Sequence, residues 1–344
     1  MKAQVKPRIN LEGRTPLQDV IPLETPFVLF VDPSSACNLQ CTFCPTGDRK
    51  LIKQTGRFQG SMAFEMYKKI IEELSLFSGN IKVLRLYKDG EPMLNARLAD
   101  MIAYAKKSGN VPYIDTTTNG TLLSPDRIGP LLEAGLDRIN ISLNGMNREQ
   151  YQHFAKYDFD FDVFKKHIKW LYHNRGNCEI VLKIPSESIT KQQGQEFYDI
   201  FGNYCDRIFI ENFAPCWPEF DVEARTGFTF TKGIYQQELT CIETCPYIFY
   251  SMSINSDGSV SACFLDWARK LIVGDVNRQT LKEIWNSDEF NNMRILNLEG
   301  KRMQCPVCSQ CGQLTHCQPD NIDPYQKELL GKMKACLNKP DPSA

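Results

Sequence analysis

The chain predicts an α/β fold built on a parallel sheet, followed by a smaller cysteine-rich module. Two observations predict it. Six short runs rich in β-branched and aromatic residues alternate with helical periodicity between about residues 27 and 212, and eight of the 14 cysteines crowd into residues 241–336. With 344 residues and 42% hydrophobic content, the chain can bury one large core and carry a second unit beside it.

The strand-like runs are 27–31, 83–87, 113–117, 138–143, 179–184 and 207–210. Between the first two, Met66, Ile70, Leu74 and Phe77 recur at helical spacing, with Ser61 as the cap and Gly79 ending the run. Leu98, Met101, Ile102 and Ala105 repeat the pattern before Gly109. Ser124 followed by Pro125 reads as a cap and a first-turn proline, opening a helix through Leu131 and Leu132. Asp160 and Asp162 read as a helix start without a catalytic role. Six βα units imply a parallel sheet, and strand counting alone leaves an open doubly wound sheet and a partial barrel equally available. In both, ligands sit at the C-terminal ends of the strands.

A net charge of -1 with acids and bases interspersed leaves no basic stripe, which argues against a nucleic-acid partner despite 40 Lys+Arg. The N-terminal run Met-Lys-Ala-Gln-Val-Lys-Pro lacks a signal peptide's apolar stretch, and no segment approaches the roughly 20 apolar residues of a membrane span. The expected location is the reducing cytoplasm, where clustered cysteines read as metal ligands rather than disulfides.

Cys37, Cys41 and Cys44 stand at i, i+4 and i+7 in Ser-Ser-Ala-Cys-Asn-Leu-Gln-Cys-Thr-Phe-Cys-Pro. Such a loop can wrap three corners of an iron-sulfur cube and leaves a fourth corner unligated, where electron-transfer clusters normally use four cysteines. A zinc loop is the alternative, but zinc usually takes four protein ligands from paired C-x2-C knuckles. With Phe43 before the last cysteine, the run resembles the C-x3-C-x2-C signature of radical S-adenosylmethionine (radical SAM) enzymes. The resemblance implies a partial (β/α)6 TIM-like barrel. It also implies a [4Fe-4S] cluster whose open iron is chelated by S-adenosylmethionine, reductive cleavage to a 5'-deoxyadenosyl radical, and a flavodoxin- or ferredoxin-type reductant.

Further matches fall at the strand ends. Lys88-Asp89-Gly90-Glu91-Pro92 resembles the family's Gly-Gly-Glu-Pro motif, which contacts the methionyl amino group. Asp89 replaces the first glycine, and its carboxylate can accept from an ammonium group. Thr118 and Asn119, in Thr-Thr-Asn-Gly, offer short polar groups beside the implied cofactor, although Asn-Gly is most often merely a turn. Ser142 and Asn144 resemble the family's Ser-x-Asp-Gly segment near the ribose, with Asn144 in place of the aspartate. Lys183 lies on the fifth strand, where the family often has a polar contact to cofactor; an exposed lysine is the plain alternative.

In the second cysteine field, twelve residues separate Cys245 from Gly258, and four more lead to Cys263. This resembles the opening of SPASM and twitch domains, the cluster-binding extensions behind radical SAM barrels. Residues 254–260 read independently as a β-hairpin with an Asp-Gly turn, which would bring Cys245 and Cys263 together. Thr280 to Glu283 is a capping box opening a helix through Trp285. Cys305, Cys308, Cys311 and Cys317 can be laid on the family pattern in two ways. Either Cys308, Cys311 and Cys317 form one run with Cys305 extra, or Cys305 and Cys308 complete a four-cysteine site with Cys245 and Cys263. One or two auxiliary [4Fe-4S] clusters are implied, with Cys241 and Cys336 as further candidate ligands; a zinc ribbon is the alternative.

Cys178 and Cys205 precede strands and read as small buried hydrophobes. Cys216 follows the sixth strand and is the candidate hydrogen donor or pocket-lining thiol, with packing beside Trp217 as the plain reading. His316 sits beside a candidate ligand as an outer-sphere donor or a solvated loop residue.

The expected organisation is an N-terminal extension (1–26), the barrel (27–235), the auxiliary module (236–337) and a tail (338–344). Only 36 residues precede Cys37, short for a peptide-recognition domain. The expected substrate is therefore a small molecule such as a sugar, nucleotide sugar or aminoglycoside-like compound, undergoing dehydrogenation, epimerisation or a related radical transformation. A peptide-modifying or sulfatase-maturing activity is the second reading, and a non-catalytic electron carrier the third.

Overall fold

The computed structural model describes residues 1–9 and 12–338, so the expected tail beyond Asn338 lies outside the described residues. The strands are β1 (Gln4–Val5), β2 (Val28–Val31), β3 (Val83–Leu86), β4 (Ile114–Thr118), β5 (Arg138–Ser142), β6 (Glu179–Pro185), β7 (Arg207–Glu211), β8 (Ser251–Ile254), β9 (Ser259–Ser261) and β10 (Ile272–Asp275). They form one sheet in the order β1-β7-β6-β5-β4-β3-β2-β8-β9-β10. All six expected strands are present, paired in parallel from β2 to β7. β2 and β7 have different outer neighbours, so the six strands form a partial barrel whose edges do not meet.

Period-2 alternation sets the two faces. Leu84 and Leu86 of β3, Ile139 and Ile141 of β5, and Ile180 and Leu182 of β6 are fully buried under the helices, each worth about 1.5–3 kcal/mol of burial. Intervening positions carry polar groups instead: Arg85, Asp115, Asn140, Lys183 and Glu211. The sheet's inner face is therefore charged before any ligand is considered.

Both sheet edges are extended by segments outside the six βα units. In the N-terminal extension, β1 pairs in parallel with β7, Gln4 opposite Arg207; two residues are too few to show alternation in sequence. At the other edge β8 pairs in parallel with β2, Val28 opposite Ser251, and β9 and β10 continue antiparallel. The hairpin is turned by Asp257-Gly258, with Gly258 at φ +92°, which glycine takes freely. The cysteine-rich module thus grows out of the barrel's own sheet.

The helix Leu98–Ser108 ends at left-handed Gly109, and the helix Leu281–Trp285 starts with the expected Thr280/Glu283 capping box. Asp160 caps the helix Phe161–Asn174 by accepting from Val163 N at 3.0 Å. Two caps differ from expectation. The helix Phe64–Glu72 starts after Ala63, because Ser61 is drawn into a bridge with Ser34. Ser124 holds the cap position before Pro125 without a side-chain bond. Among the described residues no helix is long and apolar enough to cross a membrane.

Candidate active site

The loop carrying Cys37, Cys41 and Cys44 leaves the C-terminal end of β2, and its backbone is tied from several directions. Gln40 N and Thr42 N donate to Ala155 O and Phe154 O, each at 2.9 Å, and Glu91 N donates to Ala36 O at 2.8 Å. Gly47 closes the loop: a Cβ there would stand 2.3 Å from Cys41 O. Phe43 stacks on Phe213 with ring centroids 4.2 Å apart.

The three half-buried thiols bear on one another. Burial pushes Cys37 up to about 12 and raises Cys41 and Cys44, and each thiol is raised further by a neighbour of the trio or a nearby acid. N–H groups point at Cys37 Sγ, Leu39 N at 3.5 Å and Asn119 Nδ2 at 3.9 Å. Buried thiolates are costly alone, but irons supply the positive charge that deprotonates them, and N–H donors suit cluster sulfurs. The cradle and donor set fit a three-cysteine [4Fe-4S] cluster.

The 88–92 turn packs directly on this loop. A Cβ on Gly90 would lie 2.2 Å from both Ser34 O and Ala36 O, so only glycine allows the approach. Glu91, 1% exposed, accepts from Thr118 Oγ1 and Asn119 N, both at 2.8 Å, and from Met93 N at 3.0 Å. Glu91, Pro92, Thr118 and Asn119 are thereby assembled around the cysteine loop, as their positions at strand ends led one to expect. Asp89 already has cationic partners. Its Oδ2 lies 2.9 Å from Lys88 Nζ and 3.0 Å from both Arg57 Nη1 and Arg269 Nη2, and its carbonyl accepts from Thr46 Oγ1 at 2.7 Å. The side-chain cations hold the carboxylate through Oδ2, while its buried Oδ1 has no hydrogen-bond partner among the described residues.

Ser142 and Lys183 are opposite each other in the β5–β6 register, and Asn144 is buried one turn beyond. Lys183 is not a free lysine: its Nζ donates to Glu211 Oε1 at the end of β7. Sequence reading missed the groups that complete this face. Arg8, from the N-terminal extension, donates to Tyr87 Oη at 2.8 Å, and Arg85 donates to the same oxygen at 2.6 Å. Burial alone would raise the Tyr87 phenol, but the Arg8 and Arg85 guanidiniums outweigh it and lower it. Arg138 pairs with Asp115 on neighbouring strands. A charged residue interrupting a strand-like run was the available signal; Arg8 had none.

The auxiliary thiols Cys245, Cys263, Cys305, Cys308 and Cys311 bear on one another electrostatically, which leaves both arrangements available. Cys308 donates to Cys305, holding Cys305 low and Cys308 high, and Cys263 and Cys245 also bear on Cys308. Cys311 bears on Cys245 and Cys263 and also reaches toward the barrel: its Sγ is 3.7 Å from Cys216 O, and Gly312 packs against Pro215 O. Cys216 is half-buried, and its thiol is raised by burial first, then by Cys317 and Cys311, and then by Cys44. It therefore lies between the two cysteine fields. Cys241 and Cys336 are exposed, outside this buried group. Cys178 and Cys205 are buried as expected. The His316 ring lies 3.2 Å from Gly312 O, which makes it part of the turn rather than a solvated residue. Among the described residues no three Cys, His, Asp or Glu side chains converge as tightly as one metal ion requires; a cube takes its thiolates at separate corners.

A family model described as the radical SAM superfamily matches residues 31–188, and a second, SPASM, described as an iron-sulfur cluster-binding domain, matches residues 245–312. The tungsten-containing aldehyde ferredoxin oxidoreductase cofactor-modifying protein of Pyrococcus furiosus is 23% identical over 358 residues, covering 90% of this chain and 93% of that protein. The S-adenosyl-L-methionine-dependent 2-deoxy-scyllo-inosamine dehydrogenase of Niallia circulans is 22% identical over 295 residues, covering 83% and 92%. The crystal structure of BtrN in complex with AdoMet and 2-DOIA shares the fold, with a TM-score of 0.54 at 19% identity, covering 86% of this chain and 97% of that one. The chain belongs to the radical SAM superfamily, carries a C-terminal SPASM-type module, and uses [4Fe-4S] clusters and S-adenosylmethionine as cofactors.

Proposed function

We propose that this enzyme abstracts hydrogen from a small polar molecule and dehydrogenates it. The observation that carries the reading is the charged inner face at the strand ends, where Lys183, Glu211, Arg8 and Tyr87 stand together. Such a wall suits a substrate rich in hydroxyl or amino groups better than an apolar one. The relative named as a 2-deoxy-scyllo-inosamine dehydrogenase and the BtrN structure with 2-DOIA support a small-molecule substrate.

In this reading Cys37, Cys41 and Cys44 hold the cluster whose open iron takes S-adenosylmethionine. When these are bound, they supply reductive cleavage of the sulfonium to methionine and a 5'-deoxyadenosyl radical, using one electron from a flavodoxin- or ferredoxin-type donor. The chain's own groups orient and enclose. Gly90 lets the 88–92 backbone approach the cysteine loop, and Glu91 fixes Thr118 and Asn119. Ser142, Asn144 and Lys183 offer polar contacts along the cofactor's nucleoside side. Glu211, held by Lys183, is placed to accept from a substrate hydroxyl or ammonium group. Cys216 borders the same space from the auxiliary side, as a hydrogen donor or a pocket wall. Cys245, Cys263, Cys305 and Cys308 would hold an auxiliary cluster, which would supply a substrate-binding iron or an electron acceptor.

Anaerobic incubation of the reconstituted protein with S-adenosylmethionine and dithionite tests the first part: 5'-deoxyadenosine should form, and its absence would remove the reading. A panel of aminocyclitols and sugars tests the second, since a substrate should speed 5'-deoxyadenosine formation and lose two hydrogens by mass. Acceleration by cysteine- or serine-containing peptides alone would replace it with the peptide reading.

A further inference from the structure

The loop joining β9 to β10 belongs to the auxiliary module and begins at Cys263, yet it is docked on the 88–92 turn. Asp266 folds it: the carboxylate accepts from Ser261 Oγ at 2.9 Å, Lys270 N at 2.8 Å and Leu271 N at 2.9 Å. Trp267 Nε1 anchors it to Pro218 O at 2.7 Å. The loop's carbonyls meet cations of the barrel, with Lys88 Nζ 3.2 Å from Asp266 O and Arg57 Nη1 3.3 Å from Trp267 O.

Arg269 is the loop's own contribution. It sits at φ +60°, in the left-handed region that non-glycine residues take at a cost. Its side chain, 9% exposed, lies 3.0 Å from Asp89 Oδ2 and 3.7 Å from Asp32 Oδ2. Asp89 is thus the common anion for Arg57, Lys88 and Arg269, and it stands where the family's motif has glycine. A glycine there would leave three closely packed cations without their shared partner. Asp89 also immediately precedes Gly90, whose backbone is wedged against Ser34 and Ala36 of the cysteine loop. Whatever holds Asp89 therefore holds the turn.

We propose that Arg269 is a positioning residue for S-adenosylmethionine: reaching across from the auxiliary module, it fixes Asp89 and through it the shape of the 88–92 turn. The cofactor site of the barrel is completed by the module behind it, and the Asp89 replacement is the adaptation that makes the link. This rests on the reading that the 88–92 turn contacts S-adenosylmethionine.

The test uses the full-length reconstituted protein, measuring the dissociation constant for S-adenosylmethionine by equilibrium dialysis together with iron content. Arg269→Met should weaken binding roughly tenfold, Arg269→Lys should recover most of it, and Asp89→Asn should weaken binding comparably. Because the two residues act through one contact, Arg269→Met should add little in the Asp89→Asn background. A wild-type constant in Arg269→Met or in Asp89→Asn overturns the proposal, as does equal weakening by Met and Lys. If Arg269→Met fails to take up its clusters, the isosteric Asp89→Asn carries the test. If the wild type itself binds no S-adenosylmethionine, the underlying reading fails instead.

Discussion

Glu91 and Asn119 are joined across neighbouring strands: Glu91 Oε2 accepts the Asn119 amide N–H at 2.8 Å while Oε1 takes the Thr118 hydroxyl at the same distance. Burial raises the carboxyl, and the three donors that face it oppose the rise, with the Asn119 N–H the strongest of them. Replacing Glu91 with Gln turns an amide N–H₂ toward these donors. A loss of about 1–3 kcal/mol should follow in denaturant unfolding of the reconstituted protein. An unchanged midpoint would show that this carboxylate does not organise the strand ends.

Gly47 tests the cysteine loop without touching a cysteine. A Cβ there meets Cys41 O at 2.3 Å and Cys41 N at 2.6 Å, both backbone atoms that cannot swing aside. Gly47→Ala should therefore spread the loop and cost roughly four irons per chain after anaerobic reconstitution. Full iron content in the variant would mean the loop is looser than its packing indicates.

Asp32 gives a dependence on pH. Burial, then repulsion from Asp89, raises its carboxyl from 3.8 to about 6, against the pull of Arg269. With the folded value above the unfolded one, the native state binds the extra proton. The associated stability is present below about pH 4 and is lost as pH rises through about 6. Asp32→Asn removes this loss, so its thermal midpoint should exceed the wild type's by more at pH 7.5 than at pH 5. A difference that is flat between these two values would assign the protonation elsewhere.

The auxiliary thiols offer a separation of functions. Cys308→Ala removes the donor to Cys305 and one of the clustered auxiliary thiols. Iron content should fall by roughly four per chain while 5'-deoxyadenosine formation from S-adenosylmethionine alone persists. Loss of both together would show that the two cysteine fields do not act as separate centres.

Much of the site was legible because its chemistry is local. Cys37, Cys41 and Cys44 lie on one loop, so spacing alone announces their ligand set, and the six strands show themselves through β-branched runs short enough to read. The Thr280/Glu283 box and the Asp257-Gly258 turn are likewise contained within four residues. What spacing could not supply is which distant groups share a charge. Asp89 reads in sequence as a free carboxylate, yet its Oδ2 is shared by cations 32 residues before it, one before it and 180 after it. Arg8 sits in a segment with no pattern and reaches Tyr87 only because β1 pairs with β7.

The sequence by itself determined the six parallel strands, the cysteine loop and the family's cofactors, since each depends on residues close together along the chain. Tertiary structure alone decided that the auxiliary hairpin continues the barrel's sheet, that Cys241 and Cys336 are exposed, and that Arg269 reaches Asp89. The physical reason is that ionic contacts and strand pairing between distant segments are fixed by how the sheet brings its edges and loops together, and periodicity carries no record of that.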